Sequence, residues 1–192
     1  MKKINFLLII LFIPSIFFGQ SNDSISIKKI LDEVSVNAIR AKTNTPVAFT
    51  NLNKKQIEKS NLGQDLPFLI SSTPSVVTTS DAGAGIGYTG FRIRGTDPSR
   101  INVTINGIPL NDSESQGVWW VNMPDFASSL ENIQIQRGIG TSTNGAAAFG
   151  ASINLQTNGL NTKAYATTNN SVGSYNTLKN NIEFGSGLIL SL

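Results

Sequence analysis

The side chains available for chemistry in this 192-residue chain are limited in kind, because it contains no cysteine and no histidine. There is therefore no thiol nucleophile, disulfide framework or zinc knuckle. The usual general base and the commonest transition-metal ligand are missing too. A serine triad of the ordinary kind is excluded, although a Ser-Lys pair and a glycosidase-like carboxylate pair stay open. Asp112, Glu114 and Asp125 are acidic neighbours in sequence, but they lack the regular loop spacing of a calcium site. Gly85, Gly87 and Gly90 spell G-x-G-x-x-G, the dinucleotide fingerprint, which needs a helix after it to hold a pyrophosphate. Here a strand pattern, Phe91 to Arg94, follows instead. No catalytic residue, metal ligand or cofactor site is assigned. What remains is recognition chemistry. Tyr88, Trp119 and Trp120 offer apolar area with a polar tip, and Arg92, Arg94 and Arg137 stand on strand patterns beside apolar residues.

The elements that must position these residues centre on 91–112, FRIRGTDPSRINVTINGIPLND. Ile93 between Arg92 and Arg94 puts both arginines on one strand face. Thr96-Asp97-Pro98-Ser99 has turn chemistry. Val103 and Ile105 alternate with Asn102 and Thr104, as in a half-buried strand, and Asn106-Gly107 is a strong hairpin signal. By pattern alone this is a β-hairpin of a soluble domain. Upstream, 47–52 reads as a strand. Asn53 caps a helix over 54–60, with Gln56 completing a capping box. A second helix is expected over 65–71, with Pro67 in its first turn, then a strand over 75–79 and a flexible loop over 81–90. Downstream come the polar stretch 111–122, a short helix from Pro124 to Leu130, an alternating strand 132–137, a small-residue turn 138–150 and a strand 152–157.

The ends differ in character. Residues 1–19 read as a signal peptide, with Lys2 and Lys3 before an apolar core too short to span a membrane as a helix, and cleavage is expected before Gln20. Removing it leaves 13 basic and 12 acidic residues, a net charge of +1. The basic pI thus belongs mostly to the leader, and no basic patch argues for nucleic acid. Residues 20–46 are a polar segment and linker that contains the alternating run LDEVSVNA. Over 161–192 two strand patterns alternate, joined by a turn at 173–176. They suit either a soluble sheet or the first hairpin of a transmembrane barrel. Two strands cannot close a barrel, and an open edge is not tolerated in lipid.

The runs FRIRG, INVTINGIPLND and LENIQIQRGIGTSTNGAAAFGASINLQT together resemble the plug domain of TonB-dependent outer-membrane receptors. The resemblance extends over about 32–157. It departs at Gly138-Ile139, where the family usually has Gly-Pro. It departs again at Asn144-Gly145 and Phe149-Gly150, where a Tyr-Gly is common. Neither departure breaks the strand pattern.

The resemblance implies an α+β plug, a mixed β-sheet with short helices, over 47–160. The first strands of a transmembrane antiparallel β-barrel would follow over 161–192, as a fragment of a longer receptor. It implies a TonB box at Asp32, Glu33, Val34, Ser35, Val36, Asn37 and Ala38, pairing as an edge strand with TonB and its inner-membrane energising complex. It implies plug–barrel contacts through Arg92, Arg94 and Arg137. It implies a ligand held by the loops 81–90 and 111–122, with Tyr88, Trp119 and Trp120 as contacts. The ligand class would be a ferric chelate, such as a siderophore, with cobalamin and sugar oligomers as alternatives. The location would be the outer membrane, in contact with its lipid. A stand-alone periplasmic α+β binding module is the competing expectation.

Overall fold

A computed structural model describes residues 40–140, 147–174 and 176–188 of the chain. The signal peptide and the TonB-box segment 32–38 expected from the sequence lie outside the described residues.

Local chemistry starts the fold. Strand β1 (Ala48–Asn53) runs into helix α1 (Lys54–Ser60) through a reciprocal cap. Asn53 Oδ1 accepts the Gln56 N–H at 3.0 Å, and Gln56 Oε1 accepts the Asn53 N–H at 2.9 Å, pairing donors that a helix start leaves free. Helix α2 (Leu66–Leu69) is one turn with Pro67 at its start, shorter than the expected 65–71. Turn bonds take over at its end, where the Thr73 N–H donates to Ile70 O at 2.9 Å, and a following Pro74 cannot extend it. Strands β2 (Val76–Ser80), β3 (Thr89–Ile93), β4 (Ile101–Ile105), β5 (Ile108–Pro109), β6 (Leu130–Arg137) and β7 (Ala151–Thr157) follow, then β8 (Tyr165–Val172) and β9 (Leu178–Gly185). Single 3-10 turns at Pro98–Arg100, Trp120–Asn122 and Phe126–Ser129 lie in the connections.

The main sheet has the order β1-β6-β7-β4-β5. All its pairs are antiparallel except β4 and β7, which run parallel with Ile101 opposite Ala151 and Val103 opposite Ile153. This mixed sheet with short helices is the expected α+β class. Two local expectations are corrected. The stretch 91–112 is not one unit, because β3 pairs with β2 in a separate two-stranded sheet while β4 lies inside the main one. Nor is β4 half-buried: Ile101, Asn102, Val103 and Thr104 are all buried, the apolar two in the core and the polar two among the buried amides and hydroxyls of the opposite face. The Asn106-Gly107 turn forms as expected. Both residues have positive φ, +50° and +85°, which a two-residue type I′ hairpin requires.

The two faces of the main sheet are both buried but chemically opposite. Ile133, Ile135, Val103, Ile153 and Leu155 share one face through their register. They join one core with Ile57, Ile70, Phe91, Ile93 and Trp120, and each fully buried Ile contributes roughly 1.5–3 kcal/mol. The other face carries Asn102, Thr104, Gln134, Gln136, Ser152 and Asn154, all buried. Thr104 Oγ1 donates to Asn154 Oδ1 at 2.8 Å, and Gln134 Nε2 donates to Asn51 Oδ1 at 2.9 Å. Gln134 also binds the Ala41 main chain twice, accepting its N–H at 2.7 Å and donating to its carbonyl at 3.0 Å. Among the described residues Asn102 Nδ2, Asn154 Nδ2 and Ser152 Oγ have no hydrogen-bond partner, at a cost of about 1–3 kcal/mol each.

Strands β8 and β9 pair in a sheet of their own. Val172, Leu178, Ile182 and Phe184 are exposed on one face, and Lys179, Asn181 and Glu183 alternate with them. Lys179 Nζ reaches Asp125 Oδ1 at 2.7 Å and Ser128 Oγ at 3.3 Å. Asp125 also accepts from Asn61 Nδ2 at 3.0 Å and Ser128 Oγ at 2.8 Å. Partial burial raises the Asp125 pKa, but the bonds from Lys179, Asn61 and Ser128 outweigh it, and the carboxyl lies below its ordinary 3.8.

A folded pKa below the unfolded value stabilises the carboxylate state above the unfolded pKa and loses that stabilisation as pH falls through the folded one. The protection of amides over 178–185, taken relative to the intrinsic exchange rate at each pH, is therefore expected to be unchanged between pH 7 and about pH 5, and to fall only below about pH 4. Lys179→Met should remove that acid step. A step that survives in Lys179→Met would show that another group controls it.

Candidate ligand site

An open cavity of about 370 Å³ lies between the loops 81–90 and 111–122. Its walls come from three places in the chain, and each is set by local hydrogen bonding.

The first wall is the connection between β2 and β3. Expected as a flexible loop, it is fastened at its base to the start of α2. The Asp65 N–H donates to Gly85 O at 2.8 Å, and Thr89 Oγ1 donates to the buried Asp65 carboxylate at 2.8 Å. Gln64 Nε2 donates to Ala84 O at 3.1 Å. Tyr88 is left exposed on the cavity. Among Gly85, Gly87 and Gly90, the first two have positive φ. Strand β3 rather than a helix follows them, so the motif is turn geometry.

The second wall follows β5. Asn111 takes over the ladder where that short strand ends: its Oδ1 accepts the Val103 N–H at 2.8 Å, and its Nδ2 donates to Ile101 O at 2.9 Å and Gln116 O at 2.8 Å. Asp112 Oδ2 accepts the Ser115 N–H at 2.7 Å and its hydroxyl at 2.8 Å. These two bonds hold the Asp112 carboxyl below its usual range. The adjacent tryptophans then part company. Trp120 is only 3% exposed, with its ring 5.7 Å from that of Phe91. Trp119 is 53% exposed and lines the cavity. The structure thus brings Tyr88, Trp119 and Trp120 to one cavity, with Tyr88 and Trp119 presented to solvent and Trp120 packed in the core.

The third wall is the turn after β3. Asp97 Oδ1 accepts the Ser99 N–H at 3.1 Å and its hydroxyl at 2.9 Å. Those bonds, helped by the charges of Arg92 and Arg100, lower the Asp97 pKa. Asp97, Ser99 and Asp81 line the cavity, as does Val118, and none of the described lining residues is lysine or arginine. Sequence reasoning did not single these four out. The Asp-Pro-Ser turn signal pointed to a turn, but nothing in it pointed to what the turn would face.

The three arginines expected to join plug and barrel are placed differently from one another. Arg92 forms an exposed pair with Asp97, at 3.5 Å. Arg94 does not continue the strand face of Arg92, because its φ is +53° and it lies beyond β3. Its N–H donates to Ser75 O at 2.9 Å, and its guanidinium lies against Gly138, where a Cβ would come within 3.0 Å of Nη1. Arg137 Nη1 donates to Pro74 O at 3.3 Å, while its Nε is buried without a hydrogen-bond partner. Arg94 and Arg137 are thus gathered beside Pro74 and Ser75. Among the described residues, the ion pair linking β9 to the rest of the fold is Lys179–Asp125. Of the acidic trio Asp112, Glu114 and Asp125, Asp112 is bonded to Ser115 and Asp125 to Lys179, so they do not converge.

No curated protein sequence matches the chain. Among solved structures it is similar to FpvAI in its complex with pyocin S2, with TM-score 0.60 and 17% identity over 76% of this chain and 19% of that one. It is similar to the ferric yersiniabactin uptake receptor FyuA from Yersinia pestis, with TM-score 0.56 and 14% identity over 75% of this chain and 22% of that one. It is also similar to the alcaligin outer-membrane receptor FauA from Bordetella pertussis, with TM-score 0.56 and 21% identity over 73% and 23%. At these identities the likeness is one of fold, and the chain spans about a fifth of the length of those receptors. The family model of the TonB-dependent receptor plug domain matches residues 41–152, and the chain belongs to that family.

Proposed function

We propose that this chain is the plug and first barrel hairpin of an outer-membrane receptor that takes up a scarce nutrient, a ferric siderophore or another iron chelate. The observation that carries the reading is the cavity between 81–90 and 111–122, with Tyr88 and Trp119 exposed on its walls. Amphipathic rings held on anchored loops supply contact area at small entropic cost. The exposed apolar face of β8 and β9 supports the barrel part of the reading, since alternating strands with an apolar outer face suit lipid. It also counts against a stand-alone soluble module, which would gain nothing from that face. In this reading residues 1–19 are a signal peptide, 20–46 carry the TonB box, 47–160 are the plug and 161–192 begin the barrel. TonB adds to 32–38 by strand pairing, and Arg94 and Arg137 remain candidates for barrel carboxylates.

The two tryptophans separate binding from folding. Trp119→Ala in the complete receptor should lower ligand affinity about tenfold or more while leaving the unfolding midpoint of the plug near wild type. Trp120→Ala should destabilise the plug by about 3–5 kcal/mol, because it removes a buried ring from the core. Equal stability losses in the two variants would contradict the division.

Strand addition at the TonB box requires main-chain N–H groups more than side chains. Val36→Pro removes a donor and fixes φ, so it should abolish uptake while surface binding of the ligand persists. Val36→Ala should do little. Normal uptake by Val36→Pro cells would refute the TonB-box assignment.

A further inference from the structure

The charge of the cavity narrows the ligand class, and this inference rests on the receptor reading above. Among the described residues two carboxylates, Asp81 and Asp97, line the cavity, and no lysine or arginine does. The two are not equivalent. Asp97 is balanced by Arg92 at 3.5 Å and held by Ser99. Asp81 makes no ion pair among the described residues. An uncompensated carboxylate therefore sits in the same cavity as two exposed aromatic faces, Tyr88 and Trp119. Both kinds of group attract positive charge, the carboxylate by direct Coulomb interaction and the rings through their quadrupoles. Both oppose an anion.

We infer that this cavity selects a neutral or cationic chelate of the hydroxamate type and rejects an anionic catecholate chelate. The distinction is one of charge balance. Three hydroxamate anions neutralise a ferric ion, so any amine on the ligand leaves the complex positive. Three catecholate dianions leave it triply negative. The plug would thus act as a charge filter, with Asp81 as the specificity-determining residue and Tyr88 and Trp119 as the faces that meet the ligand's cationic or apolar side.

The test is equilibrium binding to the complete receptor in outer-membrane vesicles, at one fixed ionic strength because screening weakens the effect. The probes are radiolabelled ferric desferrioxamine B, which is cationic, ferrichrome, which is neutral, and ferric enterobactin, which is anionic. Wild type should bind desferrioxamine B or ferrichrome at least tenfold more tightly than ferric enterobactin. Asp81→Asn should weaken the cationic chelate about three- to tenfold and leave the neutral one unchanged. Asp81→Lys should reverse the preference between the charged pair. Tighter binding of the anionic chelate by wild type, or an unchanged ratio in Asp81→Asn, overturns the inference and leaves the receptor reading standing. Binding of none of the three probes takes down both the iron-chelate reading and the charge filter.

Discussion

The structure depends on one pairing, the parallel alignment of β4 with β7. Antiparallel neighbours can be joined by a tight turn, but a parallel pair needs a crossover. The chain between Ile105 and Ala151 supplies it and carries β5, the 111–122 wall, two 3-10 turns and β6 on the way. Because β6 inserts beside β7 and β5 beside β4, the crossover fills the sheet and at the same time brings the 111–122 segment over β3. The cavity is therefore a by-product of the topology: a local segment before β4 and a crossover segment after it are brought face to face.

Both faces of the central strands are buried. The apolar face packs under α1, α2 and β3 in the manner of any core. The polar face is the unusual one, with amides in cross-strand register: Gln134 opposite Asn154, and Asn154 opposite Thr104. Buried amides give rigidity only where they are satisfied. Gln134 is satisfied by Asn51 and by the Ala41 main chain, whereas Asn102 and Asn154 each keep an unpaired Nδ2.

What the sequence reveals follows the range of the interactions. The capping box of Asn53 and Gln56 and the turn at Asn106 and Gly107 are short-range devices, and both are where the residues indicate. The run of motifs from FRIRG to GASINLQT identifies the family because it samples β3, β4 and β5, β6 and β7 in order. Failures occur where the partner is distant. Alternation in β4 reads as half-burial because the polar partners on its second face, such as Asn154 bonded to Thr104, come 50 residues later. Arg94 reads as a strand residue because nothing local betrays its left-handed backbone, which is fixed by Ser75 and Gly138. Trp119 and Trp120 are adjacent and alike in sequence, and only the position of Phe91 separates them. Lys179 meets Asp125 across 54 residues, which no spacing rule could anticipate. The sequence thus points to two loops and three rings, and that they line one cavity, with no basic residue among the described ones, emerges only from the fold.

The central claim is that the 81–90 and 111–122 segments form the plug's ligand contact. It is tested most directly by the experimental structure of the complete receptor with its transported ligand bound. The account predicts the ligand in van der Waals contact with Trp119 and Tyr88, within about 4–4.5 Å. A ligand held entirely by barrel residues, with Trp119 and Tyr88 out of reach, would contradict it.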